Sequence, residues 1–110
     1  MRQLSRRGLT MESDACPILR FVPDGTPIDV AKNHVLVGRH AEADVMLAMP
    51  DISRRHCRFI RTEFGWRVVD LASTNGTFVN NVRVEEADLQ TGDKVRIGSV
   101  TLEVAEQKVA

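Results

Sequence analysis

The chain has 110 residues and a mass of 12.3 kDa, enough for one domain with little room for a second. Leu, Ile, Val and Phe supply 31 residues, fourteen of them valine, which places the chain above the composition of disordered segments and biases it toward strands. Fifteen basic and fifteen acidic side chains cancel, which argues against a general nucleic-acid binder, and the longest apolar run, Val45 to Met49, is far too short to span a bilayer. The basic start MRQLSRRG is followed by no apolar stretch, so no secretory signal is read there and a cytoplasmic location is expected.

Residues 1–15 hold few large apolar side chains and are expected to form a flexible basic arm, with the domain over 16–106 and a short tail over 107–110. Short apolar runs then recur. The expected strands are Ile18–Val22, Pro27–Val30, His34–Arg39, Asp44–Leu47, His56–Arg61, Trp66–Asp70, Thr77–Val79, Val82–Val84, Lys94–Ile97 and Val100–Val104. Turn residues punctuate them at Asp24-Gly25, Lys32-Asn33, Asn75-Gly76, Asn80-Asn81, Gly92-Asp93 and Gly98-Ser99. Alternation is clearest in Lys94–Ile97 and Val100–Val104, and no helical period extends beyond two turns. The pattern predicts one all-β sandwich with no major helix.

Charge is unevenly spread. Residues 38–61 carry Arg39, Arg54, Arg55, Arg58 and Arg61 against Glu42, Asp44 and Asp51, a local net of +2. Residues 82–106 carry Arg83, Lys94 and Arg96 against six carboxylates, a local net of −3. The two cysteines, Cys16 and Cys57, make no disulfide framework; Cys57 alternates with Phe59 and reads as a small buried residue, with a Cys16–Cys57 bridge not favoured.

Three short signatures lie at strand ends: Gly38-Arg39, Ser53-Arg54-Arg55-His56 and Ser73-Thr74-Asn75-Gly76-Thr77. Each alone is weak. Asn-Gly between apolar runs, for example, is a strong type I′ hairpin signal with no function attached. In this order, with Val-Val-Asp-Leu before the third and Gly-Asp-Lys-Val-Arg-Ile-Gly after it, they resemble the forkhead-associated (FHA) domain over about residues 17–104. The resemblance implies a sandwich of about eleven short, mostly antiparallel strands whose loops bind phosphothreonine peptides.

Phosphothreonine brings about −1.5 to −2 charges and three acceptor oxygens. On this reading Arg39 supplies a planar guanidinium fork, where lysine would be only a point charge. Ser53 offers its hydroxyl and backbone N–H, and Arg54 a second positive contact. Thr74 adds a hydroxyl, and Asn75 a donor and an acceptor for the peptide backbone. Gly38, His56, Gly76 and Asn80 are expected to build the loops. Asn81 stands where the family usually has glycine, a departure that asparagine's tolerance of left-handed backbone makes cheap. Asp51, in the loop before Ser53, is expected to disfavour an acidic residue three positions after the phosphothreonine, with Met49 or Ile52 favouring an apolar one.

His56 beside Ser53 suggests a catalytic base, yet no nucleophile elbow or acidic orienter accompanies it, so no enzyme is expected. His34 and His40 lack ligand-spaced partners, so neither metal nor cofactor is expected. Arg6-Arg7-Gly8-Leu9-Thr10 resembles a basophilic kinase site, making Thr10 a candidate phosphosite and internal ligand. The expected function is that of a monomeric, non-enzymatic adaptor for phosphothreonine proteins in Ser/Thr kinase pathways, binding neither nucleic acid nor membrane. The alternatives are a phosphate-independent interaction sandwich and, behind it, a nucleic-acid binder using Arg54 to Arg61.

Overall fold

The computed structural model describes residues 15–22, 25–28 and 33–108. Ten strands follow in order: β1 (Ala15–Val22), β2 (His34–Gly38), β3 (Val45–Met46), β4 (Cys57–Thr62), β5 (Gly65–Asp70), β6 (Thr77–Val79), β7 (Val82–Val84), β8 (Glu86–Leu89), β9 (Lys94–Ile97) and β10 (Val100–Lys108). They form two five-stranded sheets, ordered β1-β10-β9-β6-β7 and β3-β2-β4-β5-β8. Every pairing between these strands is antiparallel except β2 with β3.

Alternation decides which side chains face the other sheet. Val95 and Ile97 on β9, Leu102 and Val104 on β10, and Leu19 on β1 point inward from the first sheet. Val35, Val37, Cys57, Phe59, Trp66 and Val68 meet them from the second, and the whole set forms one core. Cys57 is a free thiol whose pKa burial pushes far up, so it behaves as the small apolar residue its alternation suggested.

The all-β sandwich agrees with the sequence reading, at ten strands where about eleven were expected. Pro27 makes only an isolated bridge with Arg20, since proline has no N–H for a ladder. Residues 29–32 lie outside the described residues, as do residues 1–14 with Thr10, while Ala15, the last residue of the expected arm, begins β1. Strand β8 was not anticipated: Glu86-Ala87-Asp88-Leu89 has low strand propensity and is held by its ladder with β5 and by Arg67 on Asp88 at 2.7 Å. β10 continues through Lys108, because β1 supplies partners for Gln107 and Lys108 beyond the last expected strand residue.

The turn read at Asn80-Asn81 is a two-residue hairpin of type I′, whereas the type I′ signal at Asn75-Gly76 is not realised as a hairpin. Asn80 and Asn81 both have positive φ, 49° and 72°, between the paired Val79 and Val82. Residues 71–76 cross from one sheet to the other. Phe59→Ala should cost about 3–5 kcal/mol, because Phe59 is fully buried. Phe64→Ala, at a position 89% exposed, should stay within about 0.5 kcal/mol; urea midpoints of the two variants check the contrast.

Candidate functional site

Three segments meet at one end of the sandwich: 38–40 after β2, 50–56 before β4, and 71–76 between β5 and β6. The first two are zipped by main-chain bonds, Arg39 N–H to Ser53 C=O at 3.0 Å and His40 N–H to Arg54 C=O at 3.1 Å. This approach explains Gly38. A Cβ there would sit 2.1 Å from the Arg54 carbonyl oxygen, so any larger residue would force the segments apart.

His56 joins the second segment to the third. It is fully buried, Ser53 N–H donates to its Nδ1 at 3.1 Å, and its Nε2 lies 2.8 Å from the Gly76 carbonyl oxygen. An amide can only donate and a carbonyl only accept, so the proton sits on Nε2. Both ring nitrogens are thereby committed to main chain. The imidazole makes no hydrogen bond with the Ser53 hydroxyl, which instead accepts from Thr74 N–H at 3.0 Å, and no serine–histidine dyad exists here.

The third segment is shaped by residues the sequence reading left without a role. Asp70 accepts from the Ser73 hydroxyl, from Ser73 N–H at 3.1 Å and from the buried Thr77 hydroxyl at 2.7 Å. Gly76 N–H closes the turn on Ser73 Oγ at 3.0 Å. Gly76 has φ of +90°, and a Cβ there would lie 2.8 Å from Arg83 Nε. Arg83 packs on the back of this loop, brought there by the ladder of β7 with β6. The available signal was three hydroxyl or carboxylate residues, Asp70, Ser73 and Thr77, where apolar alternation stops.

The three segments enclose a cleft of about 120 Å³ lined by Arg39, Pro50, Asp51, Ile52, Ser53, Thr74 and Asn75. Arg39 Nε donates to the Ile52 carbonyl at 3.0 Å, which fixes the side chain and leaves its terminal nitrogens without a protein partner among the described residues. Asn75 Nδ2 donates to the Asp51 carbonyl at 2.9 Å, leaving Oδ1 and one N–H for a ligand. The Thr74 side chain is exposed.

Four of the five expected contact residues therefore converge: Arg39, Ser53, Thr74 and Asn75. Arg54 is exposed and outside the cleft lining, next to the equally exposed Arg55. The Ser53 N–H expected to face ligand is taken by His56. Ile52 touches the cleft but is 1% exposed and belongs to the core, so it is no surface for a peptide side chain; Met49, at 43%, is exposed. Asn80 is engaged elsewhere: its amide donates to Asp93 Oδ1 and its Oδ1 accepts from Lys94 N–H, both at 3.0 Å, which braces the β6–β7 turn.

A family model of the FHA domain matches residues 35–98, which contain all three segments. The chain belongs to the FHA domain family. An FHA domain solved in a study of phosphothreonine-dependent FHA interactions is 30% identical, over 84% of this chain and 98% of that one, with a TM-score of 0.74. The FhaA FHA domain, solved with the intracellular domain of Rv3910, is 31% identical over 80% of this chain and 98% of that one, with a TM-score of 0.72. Among curated relatives, the glycogen accumulation regulator GarA of Mycolicibacterium smegmatis is 47% identical over 66 residues, covering 59% of this chain and 41% of GarA. The oxoglutarate dehydrogenase inhibitor of Corynebacterium efficiens is 45% identical over 65 residues, covering 59% of this chain and 46% of that protein. The matched part thus spans less than half the length of these curated relatives.

Electrostatics tune the third segment of this FHA domain. Partial burial raises the pKa of Asp70, but the hydrogen bonds from Ser73 and Thr77 outweigh it and hold the carboxyl below the ordinary range. A carboxylate lowered in the folded state stabilises it above the unfolded pKa, and that contribution is lost as pH falls through the folded value. Asp70→Asn should therefore lower the urea midpoint at about pH 7, with the gap to wild type narrowing toward about pH 3.

Proposed function

We propose that this FHA domain is a non-enzymatic module that binds phosphothreonine in partner proteins through Arg39, Ser53, Thr74 and Asn75, and so links Ser/Thr kinase activity to protein association. The supporting observation is the cleft itself. A guanidinium anchored at Nε, a serine hydroxyl held by Thr74 N–H and an asparagine anchored on Asp51 share one small opening. Arg39 would grip two phosphate oxygens while the Ser53 and Thr74 hydroxyls donate to the others. Asn75 would hold the adjacent peptide backbone extended. Arg54, at the rim, would add long-range attraction that salt screens.

Main chain and the buried histidine fix Ser53 and Thr74, and the Ile52 and Asp51 carbonyls fix Arg39 and Asn75. Binding then orders only a few peptide residues, and loop contacts alone support roughly micromolar affinity, near −8 kcal/mol. The relatives named as a regulator and an inhibitor fit a role exerted by binding. Thr10, if phosphorylated, would compete for the same cleft from within the chain.

Arg39→Ala should weaken a phosphothreonine peptide by at least about 100-fold, the loss of a charge-assisted bidentate pair, with the unphosphorylated peptide already below detection in wild type. Calorimetry on both peptides checks this, and an unaltered affinity for the variant would contradict the assignment. Asp51 lines the cleft, its carboxylate 3.4 Å from the Ser99 hydroxyl. We assign it to reading the third residue after phosphothreonine, with the exposed Met49 favouring an apolar side chain there. An oriented peptide library should disfavour aspartate at that position for wild type and accept it for Asp51→Asn.

A further inference from the structure

The outer face of the first sheet carries a second concentration of hydrogen-bond donors, made of residues the cleft does not use. Lys94 and Arg96 alternate on β9 with the buried Val95 and Ile97, so they project outward. Thr101 on β10 stands opposite Arg96, and Phe78 on β6 flanks Arg96 from the other side. The Arg96 guanidinium lies over the Phe78 ring, 4.2 Å from its centroid. Stacking holds the plane while leaving its N–H edge available, because the ring occupies only one face.

The type I′ turn at Asn80-Asn81 closes one side. Between turn and strands is a cavity of about 240 Å³ lined by Asn80, Asn81, Lys94, Arg96 and Thr101. Two cationic side chains, a hydroxyl and the Asn81 amide border it, with no carboxylate in the lining. The neighbouring acids, Asp93 and Glu103, are already partnered. Asp93 receives the Asn80 amide and Gln90 N–H. Glu103 is held by Arg20 at 2.8 Å, with Lys94 at a looser 3.7 Å. Asn81 has no glycine-like reason to be there: at φ of 72° it accepts a backbone conformation glycine adopts more easily, and in return presents an amide at the rim.

We propose that this cavity is a second oxyanion site, which takes a carboxylate or phosphate group carried by an acidic protein segment. Arg96 and Lys94 neutralise the anion, and Thr101 and Asn81 donate to it. The site shares no residue with the threonine cleft, so a partner docked there engages the domain whether or not that cleft is filled.

The test is amide-resolved NMR titration of the Arg39→Ala chain, which removes the main competing anion site, with inorganic phosphate and separately with an unphosphorylated oligoglutamate peptide at constant ionic strength. Saturable shifts at Asn81, Lys94, Arg96 and Thr101 are expected, and the probe that produces them identifies the group bound. Arg96→Gln should weaken binding by at least about tenfold. Asn81→Gly keeps the turn's backbone and should weaken it less, while Arg61→Gln, which removes one charge from the other sheet, should leave it unchanged. Unchanged core resonances of Val95 and Leu102 verify folding of each variant. Absence of saturable shifts at these residues with both probes would overturn the proposal. So would equal weakening by Arg61→Gln and Arg96→Gln, which would mean diffuse charge attraction.

Discussion

One buried imidazole holds the rim of this domain together. His56 receives the Ser53 amide on one nitrogen and meets the Gly76 carbonyl with the other, so two loops from different parts of the chain share a single rigid connector. Removing it would leave a donor and an acceptor unpaired in a dry environment, where each costs about 1–3 kcal/mol. The Ser53 hydroxyl on Thr74 N–H and the Ser73 hydroxyl on Asp70 extend the same connection. The result is a continuous chain of hydrogen bonds from Asp70 through Ser73, Gly76, His56 and Ser53 to Thr74. This chain fixes Ser53 and Thr74, while the Ile52 and Asp51 carbonyls hold Arg39 and Asn75, so the cleft is preorganised by both.

The division of labour between packing and polar bonding is spatial. Valine, leucine and phenylalanine fill the space between the sheets and make the scaffold stiff, while polar groups enter the interior only at the end where the loops meet. Among the described residues the buried polar ones are His56, Ser73 and Thr77, and all three belong to the loop network. Buried polar groups tolerate few alternative arrangements, so they specify one loop geometry where apolar packing would accept several. Gly38 and Gly76 serve the same end by letting backbone or a guanidinium come closer than a Cβ would allow.

Charge shows how far sequence proximity misleads. The segment 82–106 is net acidic, yet its three cations, Arg83, Lys94 and Arg96, all emerge on the first sheet, two of them in one cavity. Three of its acids go elsewhere, to the β7–β8 corner and the β8 edge, while Asp93 is bound by the Asn80 amide and Glu103 is paired by Arg20. A sheet sorts side chains by parity and by neighbouring strand, and a running sum of charge along the chain records neither.

Alternation and turn chemistry were local facts, and they were enough to indicate the sandwich, most of its strands and the burial of Cys57. The three loop signatures were local as well, and their order carried the family resemblance together with Arg39, Ser53, Thr74 and Asn75. Strand β8 was invisible because an acidic edge strand draws its stability from its partner, not from its own composition. Only the tertiary structure decided that the Ser53 amide is spent on His56, that Ile52 belongs to the core, that Arg54 stands outside the cleft and that Asp70 organises the loop. Each of those outcomes depends on which groups arrive within hydrogen-bonding reach after the two sheets close, and that distance is a property of the packed chain rather than of any stretch of it.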